Sequence, residues 1–144
     1  MKLLILEDDG GSRGILERHL ADRGHQVTCC SDVPAAMQEL DRLRPEVVLT
    51  DIHLPTARGT DHVRAFCEHV SRPLVVVMTG FPSLETCLDS FHFGARGFLV
   101  KPFRVNEFIE IAEKGLAERR RDAELEELRV RVAELEARLE KGQD

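Results

Sequence analysis

The sequence predicts an α/β fold in which five strands form a doubly wound parallel sheet. Three observations support this. Five short apolar runs lack the polar alternation of half-exposed strands, which is typical of strands buried on both faces. Longer segments with helical spacing of apolar residues separate these runs, so strand and helix alternate five times. The chain has 144 residues, of which 42% are hydrophobic, enough for one domain with an appendage.

The five strands are predicted at the apolar runs, residues 3–6, 27–30, 47–49, 74–78 and 98–100. Each intervening segment carries a helical stripe. Asp32 is predicted to cap the second helix, with Pro34 in its first turn, and Ser83 to cap the fourth. In chain order, the stripes are Ile15, Leu16, His19 and Leu20; Ala35, Ala36, Met37 and Leu40; His62, Val63, Phe66 and Val70; Leu84, Cys87, Leu88 and Phe91; and Phe108, Ile109, Ala112 and Leu116.

Composition excludes several classes of function. The net charge of −6 and the absence of Trp and Tyr argue against a nucleic-acid-binding surface. No window approaches about 18 apolar residues, so no membrane span is predicted. The chain begins with acids after a short apolar run, which is not the pattern of a signal peptide. The four cysteines show no CxxC spacing, which indicates reduced thiols and a cytoplasmic location.

The excess charge lies near the C-terminus, where 16 of the 29 residues from 116 to 144 are charged. We therefore expect a globular domain over residues 1–115 and a helical coiled-coil extension over residues 116–144. In the extension, apolar residues step by three and four, as in a heptad seam. The predicted dimer seam consists of Leu125, Leu128, Val132, Leu135 and Leu139.

The charges beside this seam favour a parallel homodimer. In a parallel pair, Glu124 faces Arg129 of the second copy, and Arg131 faces Glu136, so both contacts are attractive. The alternative is a solvated charged helix supported by pairs four residues apart on one chain. The seam covers just over two heptads, fewer than the three or four that identify a coiled coil on their own.

Polar side chains follow four of the predicted strands, at the edge where such sheets bind ligands. Glu7, Asp8 and Asp9 follow the first strand and Asp51 the third, whereas Thr79 and Lys101 follow the fourth and fifth. Carboxylates this close repel one another unless a cation is present, and an all-oxygen site suits Mg²⁺. The combination describes an aspartate nucleophile that accepts a phosphoryl group, whose charge Mg²⁺, Lys101 and Thr79 neutralise.

On these residues the sequence resembles the receiver domain of two-component response regulators, over about residues 1–115. The matching motifs are the acids after the first strand, Asp51 in VVLTDIHLP, Thr79 in VVVMTG and Lys101 in GARGFLVKPF. The MTG and KPF contexts are most similar to receivers of the nitrogen-regulation and dicarboxylate-transport type. The resemblance implies a flavodoxin-like sheet with strand order 2-1-3-4-5. It also implies a histidine kinase or phosphotransfer protein as partner.

The resemblance further implies a role for each matching residue. Asp51 is the phosphoacceptor, and the Mg²⁺ ligands are Glu7 (through water), Asp8, Asp51 and the backbone carbonyl of His53, with Asp9 as a further candidate. Thr79 and Phe98 form the switch pair, although Phe98 also suits an ordinary core position. Lys101 binds the phosphoryl oxygen, and the Lys101–Pro102 bond is cis. The chain is then a phosphoacceptor with self-catalysed phosphotransfer and autodephosphorylation, not an enzyme.

Some positions depart from the family pattern. Gly10 and Gly11 follow the acids, where they weaken a helix start, and Arg58 stands where the family often has Asp. Phe81, two residues after Thr79, is expected to shield the phosphoaspartate and slow its hydrolysis. Two other functions remain open. One is a coiled-coil scaffold independent of phosphorylation. The other is a haloacid-dehalogenase-like phosphatase, which needs an acid at the position of His53.

Overall fold

In a computed structural model, the structure describes residues 1–142, and strands alternate with helices along the chain. The strands are β1 (Lys2–Leu6), β2 (Gln26–Cys30), β3 (Val47–Asp51), β4 (Leu74–Thr79) and β5 (Gly97–Val100). The helices are α1 (Gly10–Asp22), α2 (Val33–Leu43), α3 (Asp61–Glu68), α4 (Leu84–Phe93) and α5 (Val105–Glu140). The predicted α/β fold class, with five strands and five helices, is confirmed.

The strands form one parallel sheet in the order β2-β1-β3-β4-β5, as the resemblance implied. In the register, Leu4 pairs with Thr28 on one side and with Val48 on the other, and Val48 pairs in turn with Val75. Every residue of β3 and β4 is buried, which explains their unbroken apolar sequences. Because all strands run in one direction, the residues that follow β1, β3, β4 and β5 meet at one edge.

Side-chain caps fix where three helices begin. The carboxylates of Asp9 and Asp32 accept hydrogen bonds from backbone N–H groups of α1 and α2, at 2.8 and 2.9 Å. Ser83 Oγ accepts one from the Thr86 N–H at 3.1 Å, at the start of α4. The predicted caps at Asp32 and Ser83 are thus confirmed, and each such cap stabilises its helix by about 0.5–2 kcal/mol.

Three predicted helix faces are only partly buried. In α1, Ile15 and His19 are exposed and only Leu20 is fully buried. In α4, the apolar stripe of Leu84, Leu88 and Phe91 is exposed, and the helix buries Ser90 instead, whose Oγ donates to the Thr86 carbonyl at 2.7 Å. Val70 is exposed because α3 ends before it, at Glu68. The period of a sequence shows that an apolar stripe exists, but it does not show which other element covers the stripe.

The first turns of α5 pack closely against β5. Phe108 and Ala112 are fully buried, as their helical spacing predicts. Gly97 makes this approach possible, because a Cβ atom there would lie 2.7 Å from Ile111 Cγ2 and 3.4 Å from Val76 Cγ1. Real Cβ contacts are longer than 2.7 Å, so this position on β5 accommodates α5 only without a side chain.

The chain divides into two compact units, Met1–Ala112 and the residues from Glu113 onward. The predicted continuation of the last helix is confirmed, since α5 reaches Glu140. The seam residues of the second unit all have exposed side chains: Leu125, Leu128, Val132, Leu135 and Leu139. Among residues 1–142, no helix has both the length and the apolar character needed to cross a membrane.

Candidate phosphoacceptor site

Three carboxylates meet at the carboxyl edge of the sheet. Glu7 follows β1 directly, Asp8 follows Glu7, and Asp51 is the last residue of β3. Each offers one oxygen, and these atoms lie within 4.8 Å of one another. Glu7 and Asp51 are buried, whereas Asp8 is exposed. The sequence therefore predicted the residues that the fold brings together here.

The ammonium of Lys101 lies between two of these acids. Lys101 Nζ donates to Glu7 Oε2 and to Asp51 Oδ2, both at 2.5 Å. Burial alone would lower the pKa of this ammonium, but the bonds to the two carboxylates outweigh burial and raise its pKa. Burial raises the pKa of Glu7, even though Lys101 acts in the opposite direction. Lys101 is therefore charged at neutral pH and partly compensates the buried acids.

The other carboxylate oxygen of Asp51 is also held. Asp51 Oδ1 accepts a hydrogen bond from the His53 backbone N–H at 2.9 Å. Each oxygen of Asp51 therefore has a separate donor, one cationic and one from the main chain. Beside this group, a shallow cleft of about 320 Å³ opens between Asp8, His53, Pro55 and Gly59, so Asp8 is the acid that borders it directly.

A positively charged side chain of α1 holds the loop that carries the first two acids. Arg13 donates through one guanidinium nitrogen to the carbonyls of Glu7 and Asp8, at 2.9 and 3.3 Å. The Asp9 N–H donates to Glu7 Oε1 at 3.2 Å. The Asp9 carboxylate instead points to Ser12, whose backbone N–H lowers the pKa of that carboxyl. Asp9 is thus a helix cap outside the group of three acids.

Thr79 and Phe98 are the residues of the predicted switch pair. Thr79 is fully buried at the end of β4, and its Oγ accepts a hydrogen bond from the Phe81 N–H at 3.0 Å. The Thr79 carbonyl accepts from the Lys101 N–H at 2.8 Å, which ties β4 to the residue after β5. Phe98 is half-buried and packs against the hydrophobic core.

His53 and Phe81 contact each other across the mouth of the site. The two rings lie edge to face with centroids 5.9 Å apart, and the His53 Nε2 is 3.3 Å from the Phe81 carbonyl oxygen. Phe81 is 78% exposed. The pair therefore links the loops that follow β3 and β4, while most of the phenyl ring remains in solvent.

Sequence reasoning assigned His62 only to an apolar helix face and missed its contact with the site. Its side chain is buried, and Nε2 donates to the Asp51 carbonyl oxygen at 2.7 Å. Burial lowers the pKa of His62, although its bond to the Asp51 carbonyl favours the charged ring. Nδ1 is buried with no hydrogen-bond partner among the described residues. Such an atom costs about 1–3 kcal/mol.

The donor set fits a magnesium ion. Three carboxylates converge within 4.8 Å, and oxygen ligands of this kind are the ones that Mg²⁺ prefers. Lys101 compensates only part of their charge, because it supplies one positive charge against three carboxylates. A divalent cation at this edge would therefore balance the remaining negative charge.

The family of the chain follows from this geometry and from comparison with known proteins. Residues 3–113 match the model of the response regulator receiver domain. The chain belongs to this family. Receiver domains are phosphoacceptors rather than classical enzymes, they interact with histidine kinases, and they typically bind Mg²⁺ at an acidic pocket. The predicted function as a receiver of two-component signalling is confirmed, and neither the scaffold nor the phosphatase is favoured.

Relatives agree with the predicted subtype. The chain is 28% identical over 115 residues to the regulatory protein AtoC of Escherichia coli, a match that covers 80% of this receiver and 25% of AtoC. It is 26% identical over 113 residues to the transcriptional regulator NtrC of Escherichia coli, a match that covers 78% of this chain and 24% of NtrC. The receiver thus spans about a quarter of the length of these relatives.

A solved structure supports the fold. The CheY-like receiver domain protein from Methanospirillum hungatei superposes with a TM-score of 0.77 at 22% sequence identity. The match covers 83% of this chain and 96% of that one. At this level of identity, the comparison bears on the fold alone, and it agrees with the strand order described above.

Proposed function

We propose that Asp51 accepts a phosphoryl group from a histidine kinase or phosphotransfer protein. The observation that carries this proposal is the carboxylate itself. Its two oxygens are oriented by Lys101 and by the His53 N–H, at 2.5 and 2.9 Å, beside an open cleft. These contacts orient the nucleophile, and positioning is most of what phosphoryl transfer requires of a protein.

In the proposed transfer, an Asp51 oxygen attacks the phosphorus of a phosphohistidine. One O–P bond forms and the N–P bond breaks, with its electron pair remaining on the leaving nitrogen. The donor ring carries a proton on its other nitrogen and leaves as neutral imidazole. In autodephosphorylation, water attacks the same phosphorus, which releases inorganic phosphate and restores the carboxylate of Asp51.

Glu7, Asp8, Asp51 and the backbone carbonyl of His53 are the groups proposed to hold Mg²⁺, with Glu7 acting through water. When bound, the ion neutralises charge on the phosphoryl oxygens. Asp9 is not part of this proposal, because its carboxylate caps α1. Arg13 supports the ligands by holding the main chain of the acidic loop.

Lys101 and Thr79 are proposed to bind the oxygens of the phosphoryl group. Lys101 then exchanges a carboxylate partner for a phosphoryl oxygen. Before phosphorylation, the Thr79 hydroxyl accepts a hydrogen bond from the Phe81 N–H. On phosphorylation, the hydroxyl breaks this bond and turns toward the phosphoryl group. Phe98 moves inward into the space that Thr79 vacates, so that phosphorylation shifts a two-state equilibrium.

Phe81 is proposed to slow the hydrolysis of the phosphoaspartate. The phenyl ring is mostly exposed, so it shields the site through its edge-to-face contact with His53 rather than by burial. The test is the half-life of the phosphoryl group in Phe81→Glu. A shorter half-life supports the shield, and an unchanged half-life removes it.

The second unit is proposed to form a parallel homodimer through its exposed seam. Five apolar side chains along one helix remain uncovered within the single chain, and complementary charges flank them. Sedimentation of residues 1–144 against residues 1–118 tests this. A dimer for the longer chain and a monomer for the shorter supports the proposal, whereas two monomers contradict it. A cytoplasmic location is also proposed, since none of the four cysteines forms a disulfide.

The decisive experiment for the phosphoacceptor is incubation with acetyl phosphate or phosphoramidate and Mg²⁺, followed by intact mass. We expect addition of one phosphoryl group to the wild type and none to Asp51→Ala. Addition to both would place the phosphoacceptor elsewhere. No addition to either would leave a scaffold as the function of the chain.

A further inference from the structure

His62 lies directly under the phosphoacceptor, on the helix that comes after it in the chain. The side chain is 3% exposed, and its ring packs edge to face on Phe66 with centroids 5.9 Å apart. Because the Asp51 carbonyl can only accept, the 2.7 Å contact requires a hydrogen on Nε2. The imidazole is therefore a fixed donor toward the main chain of Asp51, eleven residues earlier in the chain.

Packing alone does not explain a histidine at this position. Its Nδ1 is buried and has no hydrogen-bond partner among residues 1–142. Val63 and Phe66, on the same helix, are buried and wholly apolar. A leucine would fill similar space without an unsatisfied acceptor, so the donor at Nε2 is the feature that distinguishes histidine here.

The hydrogen bond from His62 is one of three that hold the peptide group between Asp51 and Ile52. The Asp51 carbonyl also accepts from Thr50 Oγ at 2.9 Å, and on the other side of the same peptide the Ile52 N–H donates to the Met78 carbonyl at 3.1 Å. The plane of the peptide between Asp51 and Ile52 is therefore held on both sides, at the point where β3 ends.

The orientation of this peptide sets the position of the main chain at His53. The His53 N–H donates to Asp51 Oδ1 at 2.9 Å and so orients the carboxylate. The His53 carbonyl, which is the proposed main-chain ligand of magnesium, belongs to the peptide that follows the one carrying the His53 N–H. A small rotation at the carbonyl of Asp51 would displace both groups, and phosphoryl transfer is sensitive to displacements of this size.

We propose that His62 is a positioning residue for phosphoryl transfer, whose Nε2–H fixes the Asp51–Ile52 peptide and thereby the carboxylate of Asp51 and the main chain of His53. This inference rests on the proposed function of Asp51 and extends it to a residue of α3. His62 does not touch the reacting atoms, so its effect is expected in geometry and rate rather than in the chemistry itself.

Three variants separate the donor from the packing. His62→Leu removes the donor and the unsatisfied acceptor together. His62→Gln keeps an N–H donor at the end of a side chain of similar reach. Val63→Ala is the matched control, because Val63 is the next residue of α3, is fully buried and makes no polar contact with Asp51. Each variant is measured for global stability and for phosphorylation by acetyl phosphate at saturating Mg²⁺.

The Leu variant is expected to unfold at the same denaturant concentration as the wild type or higher. Its phosphorylation rate is expected to fall about tenfold or more, in line with the roughly 10–100-fold losses seen when groups that orient metal ligands are removed. The Gln variant should recover most of this rate. Val63→Ala should lose stability and keep its rate, because it leaves the Asp51 carbonyl bonded.

Hydrogen exchange of the His53 amide provides a second readout that needs neither phosphoryl donor nor metal. Faster exchange at this amide in His62→Leu, without faster exchange across β1 and β4, supports the positioning role. Equal rates of phosphorylation and exchange in wild type and His62→Leu would overturn it, as would equal losses in the Leu and Gln variants. If the wild type failed to accept a phosphoryl group, the proposed function would be refuted instead. The hydrogen-exchange measurement would still decide the role of His62.

Discussion

Charged residues have different consequences in the two units of this receiver. At the edge of the sheet, Lys101 contacts buried Glu7 and Asp51 at 2.5 Å. In the second unit, Arg129 lies 3.9 Å from Glu126, and both side chains are more than two-thirds exposed. Buried charges are costly to leave unpaired, whereas exposed pairs contribute little. Burial, rather than the number of charges, therefore determines which charged residues contribute to stability and to the chemistry of the site.

The largest expected effect is that of removing the half-buried cation between the two buried acids. Lys101→Met leaves Glu7 and Asp51 close together without a positive partner. Without Mg²⁺ at neutral pH, we expect a loss of about 2 kcal/mol in unfolding free energy, less than the roughly 3–5 kcal/mol for fully buried pairs because the Lys101 side chain is 28% exposed. Phosphorylation from acetyl phosphate should also be severely slowed. Chemical denaturation and intact mass measure the two effects.

Arg129→Met is the matched substitution in the second unit. It removes a cation from an exposed pair, so both stability and phosphorylation should remain close to wild type. Equal destabilisation by the two Met variants would show that burial does not distinguish the two regions.

The second expected effect concerns the apolar residues of the second unit. Leu135→Asp places a charge in the proposed seam and should convert the dimer to a monomer in sedimentation. Val130 is similarly exposed but lies on the opposite side of the heptad, so Val130→Asp should leave the dimer intact. Neither change should affect phosphorylation by acetyl phosphate. Dissociation by both variants, or by neither, would contradict the seam.

The pH dependence of stability should reveal the buried acid of the first unit. Because burial raises the pKa of Glu7 above 4.5, the folded state binds its proton more tightly than the unfolded state does. The contribution of Glu7 to stability therefore falls as pH rises from 4.5 through the raised pKa. In EDTA, the unfolding free energy of Glu7→Gln, measured by urea denaturation, should fall less steeply over this pH range than that of the wild type. A curve parallel to that of the wild type would rule out this effect of burial.

The smallest expected effect lies in the charges beside the seam. Arg129→Glu places two acids opposite each other in a parallel dimer and should weaken dimerisation by about 0.2–1 kcal/mol, the range of exposed ion pairs. Adding Glu124→Arg should restore the attraction and the dissociation constant. If the double substitution weakens the dimer further in analytical ultracentrifugation, the parallel arrangement is wrong.

Much of the site was predictable because it depends on the direction of the strands rather than on individual side-chain contacts. Once the strands are assigned as parallel, Glu7, Asp51, Thr79 and Lys101 must lie at the ends of strands that share one edge. Their residue types then indicate the chemistry. The approximate strand positions were predictable for a related reason, since β3 and β4 are buried on both faces and read as unbroken apolar runs.

The features that escaped prediction depend on tertiary contacts. The exposed stripe of Leu84, Leu88 and Phe91 has a helical period, but nothing in the described chain covers it. His62 has the spacing of a buried helix residue, and its bond to the Asp51 carbonyl depends on how α3 packs beneath β3. Asp9 has the residue type and chain position of a metal ligand, but its carboxylate instead accepts a hydrogen bond from the Ser12 N–H at the start of α1.

Gly97 has a consequence for how this receiver tolerates substitution. Alanine there would place its methyl group 2.7 Å from Ile111 Cγ2, and overpacking of this kind costs about 1–3 kcal/mol. In contrast, an added Cβ at Gly14 in α1 meets no atom within 4 Å, so Gly14→Ala should stabilise by up to about 1 kcal/mol. In a library of random variants, position 97 would therefore remain glycine for reasons of volume, although it never meets a phosphate or a metal.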